Sequence, residues 1–133
     1  MAQTIKLELV TPGRMLVSED VDEVVAPGFE GEFGVLPEHT LYLAVLSIGI
    51  LRYRKGNETM KVAVGGGFAE VTPGKMVVMA DVAEKAGEID VERARHAYER
   101  AEAAMKDLSL DDETYRKAHS ALQRALARMA AAG

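Results

Sequence analysis

"AEKAGEIDVERARHAYERAE", residues 83–102, holds the boundary between two kinds of periodicity. Before it, apolar residues recur in twos between glycine and proline punctuation. From Asp90 onward there is no proline, the next glycine is Gly133, and alanine dominates. Asp90 has the short carboxylate suited to a helix N-cap, with Arg93 at the third helical position. Ala94, Ala97, Ala101 and Ala104 follow at 3-4-3 spacing, a small-residue stripe on one helix face. "DLSLDDE", residues 107–113, interrupts that pattern, and Leu110 with the Asp111–Asp112 pair opens a second helix. Its stripe is Tyr115, Ala118, Leu122, Ala125 and Met129. A short connection between two such helices predicts an antiparallel hairpin, and alanine stripes let its helices approach closely.

Upstream the period is two. "TIKLELV" sets Ile5, Leu7 and Leu9 against Lys6 and Glu8, and "ILRYR" sets Leu51 and Tyr53 against Arg52 and Arg54. "TMKVAV", "GFAEV" and "KMVVMA" continue as short β-rich runs. Turn signals separate them at "TPG" (11–13), "PG" (27–28), "KGN" (55–57) and "TPGK" (72–75). Many short strands with regular punctuation predict a β-sandwich or flattened barrel. The expected fold class is therefore α+β: a β-sandwich over residues 1–86, then an antiparallel helical hairpin over residues 87–133.

Composition narrows the function. A chain of 133 residues is one domain, or one small domain with an appendage, and 48% hydrophobic residues suffice for a core. A net charge of -5 argues against nucleic acid as the main partner. Without cysteine there is no disulfide and no thiolate zinc site. "MAQTIKLELV" lacks the long apolar core of a signal peptide. No apolar run approaches the ~20 residues of a membrane span, so membrane association is expected only through a partner. "VGGGFAEV", with Gly65–Gly66–Gly67, has no following Gly-Lys-Ser/Thr and opens a strand, which suits a bulge or close backbone approach better than a phosphate loop. His39, His96 and His119 have no metal-ligand spacing, and no metal is expected. No catalytic constellation is found.

The arginines of the helices are unequal. Arg95 has Glu92 three residues back and Glu99 four on, the spacing at which helical side chains meet. Arg93 has only Asp90 within such reach, and Arg100 has no acid three or four positions away. Arg124 and Arg128, four apart, have no acidic neighbour on their own helix. On a helical wheel Arg93 and Arg100 edge the first stripe, and Arg124 and Arg128 lie to one side of the second. Two readings stand at this point: an anion site along the seam, or solvated residues that pair across the hairpin.

"GEFGVLPEH" (31–39), "AVGGGFAEV" (63–71) and the alanine-rich hairpin together resemble the epsilon subunit of bacterial F-type ATP synthases, nearly end to end and in the family's order. Leu41 stands where the family usually has proline, and Gly65 where it often has serine; both touch sandwich packing. The resemblance implies a non-catalytic rotor subunit that serves the coupling of proton flow to ATP synthesis, at the cytoplasmic face of the bacterial plasma membrane. Its sandwich would attach to the gamma subunit and the ring of c subunits. Its hairpin would lie folded beside the sandwich, or extend to the alpha and beta subunits and block ATP hydrolysis. Some members carry an ATP site with I-D-x-x-R-A on the first helix and R-x-x-x-R on the second. The matching residues here are Ile89, Asp90, Arg93 and Ala94, then Arg124 and Arg128; Glu84 and Arg100 fall where that site has a glutamate and an arginine. ATP would be a regulatory ligand, held by forked, charge-assisted guanidinium–phosphate bonds and not hydrolysed. Ile89 and Ala94 would border the adenine, and Asp90 would orient Arg93. The alternative is a free-standing ATP-sensing module. An enzyme built on Gly65–Gly67 would need a base near that segment, and none is seen.

Overall fold

The computed structural model describes residues 3–38, 40–106 and 112–133. His39, Leu110 and Asp111 lie outside the described residues. Strand β1 (Ile5–Thr11) follows its alternation: Ile5, Leu7 and Leu9 are fully buried, while Lys6 and Glu8 point outward. It turns back through Pro12 and Gly13 into β2 (Arg14–Val21), with a bulge at Leu9/Val10. Next come β3 (Glu23–Gly28) and β4 (Gly31–Val35). Two long strands follow, β5 (Tyr42–Lys55) and β6 (Glu58–Thr72), then β7 (Lys75–Ala80) and the short β8 (Ala83–Lys85). The hydrogen-bonded order is β2-β1-β7-β6-β5-β3-β4, and β8 also pairs with β6. The β1–β7 pairing is parallel; the other pairings are antiparallel.

This sheet closes into a sandwich because β6 serves two neighbours in succession. Residues Gly67–Thr72 pair with β7, and Val62–Val64 pair with β8. The change falls at the glycine run. Gly66 and Gly67 have φ of 85° and 118°, where a side chain is disfavoured. A Cβ on Gly67 would lie 2.1 Å from the Met79 carbonyl oxygen. The expected close backbone approach is found. The expectation of separate short runs is corrected: "TMKVAV" and "GFAEV" belong to one 15-residue strand. Left-handed glycines bend the strand without breaking its ladder, so β5 stays paired on both sides, with Leu46 opposite Gly67 and Ile48 opposite Gly65. Both ends of these strands feed one core: Leu51, Tyr53, Val62 and Val64 meet Ala69, Val71, Met76 and Val78.

A single 3-10 turn, Ala86–Glu88, leads into α1 (Val91–Met105), and α2 (Glu113–Ala132) packs against it. Asp90 caps α1, its Oδ1 accepting from the Arg93 backbone N–H at 3.1 Å. Asp112 caps α2 by accepting from the Thr114 N–H at 2.7 Å. The start of α1 and the last turns of α2 line one cleft, so the hairpin is antiparallel. Ala94 and Ala101 are buried along the first stripe and Ala97 is half-buried, but Ala104 is exposed. The stripe drifts toward Tyr98 and Met105, because 3-4-3 spacing does not keep pace with a 3.6-residue turn indefinitely. The α2 stripe holds as expected. A second face of α2 emerges beside it: Ala127 and Ala131 pack on Ile48, Ile50 and Ala63 of the sandwich, together with Ile89.

Candidate functional site

The residues singled out above gather around β8 and the seam between α1 and α2. Glu84 sits mid-strand, paired with Ala63 of β6. One cleft of about 350 Å³ is lined by Asp90, Arg93 and Ala94 from the α1 start, Arg128 from α2, and Val82, Glu84 and Glu88 from the approach to the hairpin. A smaller cavity of about 120 Å³ shares Val82, Glu84 and Arg128 with it and adds Arg124 and the β6 residues Ala63, Val64 and Gly65. The fold thus brings together Glu84, Asp90, Arg93, Ala94, Arg124 and Arg128. Two expected members stand apart. Arg100 lines neither space and is exposed. Ile89 packs beneath α2 against Ala127 and Ala131.

The inequality among the arginines persists in three dimensions. Arg95 is saturated: its Nη1 donates to Glu99 at 2.9 Å and its Nη2 to Glu92 at 2.6 Å. Arg95 holds the Glu92 carboxyl below its usual range, and the two carboxylates, Glu92 foremost, raise the guanidinium's own value. The side chains of Arg93, Arg100 and Arg124 make no ion pair with any described residue. Asp90, the one acid three or four positions from Arg93, takes the Arg93 backbone N–H instead. Arg128 reaches Glu84 only loosely, Nη1 to Oε1 at 3.8 Å, and its Nε is buried with no hydrogen-bond partner among the described residues. A buried guanidinium N–H without an acceptor is costly, and an oxygen-rich anion in the cleft would satisfy it. No group of His, Asp and Glu with metal-binding geometry occurs among the described residues.

Arg14 had no part in the sequence reading. At the start of β2, it forms a two-toothed pair with Glu88, Nη1 to Oε2 at 2.8 Å and Nη2 to Oε1 at 2.9 Å. Glu88 Oε1 also accepts the Lys85 N–H at 3.2 Å, tying the 3-10 turn. Arg14 foremost, with that backbone bond, keeps the Glu88 carboxyl below the usual range. No local spacing signals a pair 74 positions apart.

A second surface lies on the sandwich. Val45, Phe68, Met79, Val10 and Met15 stand opposite one another in register across β5, β6, β7, β1 and β2. Val45 is 63% exposed, and Phe68, Met79 and Met15 are also exposed. Phe29, whose N–H bonds the Val45 carbonyl at 2.8 Å, is 79% exposed. Leu43, two residues before Val45 on the same face of β5, is exposed as well, and this in-register row is an apolar face of the kind that marks an interaction surface.

Comparison with known proteins agrees over the whole chain. Residues 4–86 match the family described as ATP synthase, Delta/Epsilon chain, beta-sandwich domain, and residues 88–133 match its long alpha-helix domain. The chain is 49% identical to the ATP synthase epsilon chain of Geobacter metallireducens over 133 residues, covering all of this chain and 96% of the relative. It is 53% identical to the ATP synthase epsilon chain of Syntrophobacter fumaroxidans over 129 residues, covering 97% and 96%. Among solved structures, a chain of the Euglena gracilis mitochondrial ATP synthase superposes with a TM-score of 0.83 at 30% identity, over all of this chain and 83% of that one.

Proposed function

This chain belongs to the ATP synthase delta/epsilon family, and from that membership we propose a role on the rotor of a bacterial F-type ATP synthase. It is a non-catalytic central-stalk subunit at the cytoplasmic face of the plasma membrane, held there by the complex, and it serves the coupling of proton flow to ATP synthesis. Residues 1–86 attach to the gamma subunit and the c-subunit ring. The apolar row from Val45 to Met15 supports this attachment, since contiguous exposed apolar side chains mark interaction surfaces.

Residues 87–133 are a regulatory arm. Folded down, α2 rests on β5 and β6. Extended, the arm reaches the alpha and beta subunits, where Arg116, Lys117, Arg124 and Arg128 meet acidic segments and ATP hydrolysis is inhibited. ATP holds the arm down. Its phosphates engage Arg93, Arg124 and Arg128, with Arg100 closing from the rim. Glu84, Asp90, Ala94 and Ile89 shape the surroundings. The observation that carries this reading is the buried Arg128 Nε, without a hydrogen-bond partner among the described residues, in a cleft that it shares with Arg93. ATP shifts the arm by no more than its differential affinity for the two states. No step consumes it.

Calorimetry of the isolated chain with ATP, ADP and GTP tests the site. ATP binds in the micromolar to millimolar range and more tightly than ADP. Arg93→Ala or Arg128→Ala weakens ATP about tenfold, at ~1.4 kcal/mol per decade. Arg95→Ala changes little, because that side chain already has two carboxylates. No heat up to millimolar ATP, or equal losses at Arg93 and Arg95, refutes the site. For the rotor role, truncation after Gly87 leaves a sandwich that still assembles with gamma; failure to assemble would refute the division of labour.

A further inference from the structure

The cleft between α1 and α2 contains an anion of its own. Glu88 lines it together with Arg93 and Arg128, and it is held in a doubly hydrogen-bonded pair by Arg14. We infer that Arg14 is a positioning residue for the anion cleft: by taking both Glu88 oxygens, it keeps that carboxylate from pairing with Arg93 or Arg128. This rests on the ATP site proposed above.

The geometry has three parts. First, the fork-to-fork arrangement occupies both carboxylate oxygens and fixes the plane of the group, which a single ammonium contact cannot do. Second, Glu88 is already anchored at Oε1 by the Lys85 N–H, so its reach is short, and Arg93 and Arg128 line the same cleft as Glu88 does. Third, the Arg128 Nε has no acceptor and Arg93 makes no ion pair with any described residue, so a freed carboxylate would serve them much as a phosphate oxygen does. Arg14 comes from the far end of the chain and from the sandwich. The pair therefore closes only when the 3-10 turn is seated against β2, and cleft competence is tied to that seating.

The test separates neutralisation from simple anchoring. ATP binding is measured by calorimetry on the full chain for the unmodified protein, Arg14→Ala, Glu88→Gln and the double variant. Arg14→Ala releases a charged competitor and weakens ATP roughly two- to fivefold, the scale of exposed ion pairs. Glu88→Gln keeps an oxygen for the Lys85 N–H and leaves binding unchanged or tighter. The double variant, with neither guanidinium nor carboxylate, returns to within about twofold of the unmodified chain. A double variant as weak as Arg14→Ala overturns the inference, because anchoring alone gives that result. So does an Arg14→Ala chain that binds normally. If the unmodified chain binds no ATP, the site itself is refuted, and this inference with it. Urea denaturation of all four chains gives similar midpoints, since Arg14 is a half-exposed surface side chain.

Discussion

The sandwich and the hairpin bury different kinds of side chain. The largest fully buried residues, among them Ile5, Leu7, Leu9, Leu51 and Met76, all belong to the strands. Every buried residue described in α1 and α2 is an alanine: Ala94, Ala101, Ala118, Ala125, Ala127 and Ala131. Burying a leucine stabilises by about 1.5–3 kcal/mol, whereas each buried CH₂-sized group contributes about 0.8 kcal/mol. The sandwich is thus held by bulk, and the hairpin by close approach of small faces. A module seated through methyl groups separates from its support at low cost, while one interlocked through leucine and valine does not. That contrast suits the fixed attachment and movable arm proposed above.

The contrast breaks most visibly in the core. Leu7→Ala removes a fully buried side chain from the middle of β1 and lowers unfolding stability by about 2–5 kcal/mol. Chemical denaturation reads this as a lower midpoint at similar slope, and a loss under 1 kcal/mol would mean that the sandwich is not bulk-limited. Ala127→Leu overfills the seat on Ile48, Ile50 and Ala63, at a cost of about 1–3 kcal/mol. Hydrogen exchange should then rise along α2 while β1 and β7 stay protected. Equal loosening of both would show the modules to be one cooperative unit. Asp90→Ala deletes the α1 cap and costs about 1 kcal/mol, with lower helicity by circular dichroism and unchanged strand signals.

The smallest effect comes from acid. Glu8, Glu19 and Glu88 all have lowered pKa values, chiefly through their bonds to Lys75, Lys55 and Arg14 respectively. A carboxyl whose folded pKa is depressed contributes stability that is fully present above its unfolded value, roughly 4.3 for glutamate. That contribution fades as pH falls through the lowered folded value. Thermal midpoints should be flat from pH 7 to about 5 and then decline below the ordinary carboxylate range. Arg14→Ala should lessen that acid decline, since it removes one of the shifted groups. A decline beginning near neutrality would point to histidine.

What the sequence disclosed follows from which forces are local. Alternation in "TIKLELV" reports a face, and the cap at Asp90 and the Arg95 bracket are set within one turn; all three appear as expected. The sandwich and hairpin were legible for the same reason. The merged 15-residue β6 was not, because glycine signals a break and a bend alike until the partner strand is known. The second apolar face of α2 was hidden in an alanine-rich helix where several faces look alike. Convergence of Arg93, Arg124 and Arg128 was legible only as a shared seam. The departure of Ile89 from that group reflects a sheet surface that sequence alone does not position. Arg14 gave no signal, because its partner is chosen by the fold.

The bend at Gly65–Gly67 can also be counted as a change of phase. Beyond it, odd-numbered Ala69 and Val71 face the core; before it, even-numbered Val62 and Val64 do. Strand β5 switches at the same level, from Leu46 inward to Leu51 and Tyr53 inward, and β3 slips beside them between Val25 and Gly28. Two paired strands, β5 and β6, are therefore half a period out of step with themselves at one latitude, while β3 takes up the change as that slip and keeps its parity, with Val24 and Ala26 both facing the core. Phe68 on the apolar row and Ala63 under the arm both face outward only because of this change of phase. Deleting a single glycine would do more than tighten a turn: it would exchange inside for outside along one half of β6, placing either Glu70 in the core or Val62 and Val64 beneath α2. The spacing of two outward surfaces on opposite halves of one strand is thus stored as a parity, which point substitution leaves intact and a one-residue deletion erases.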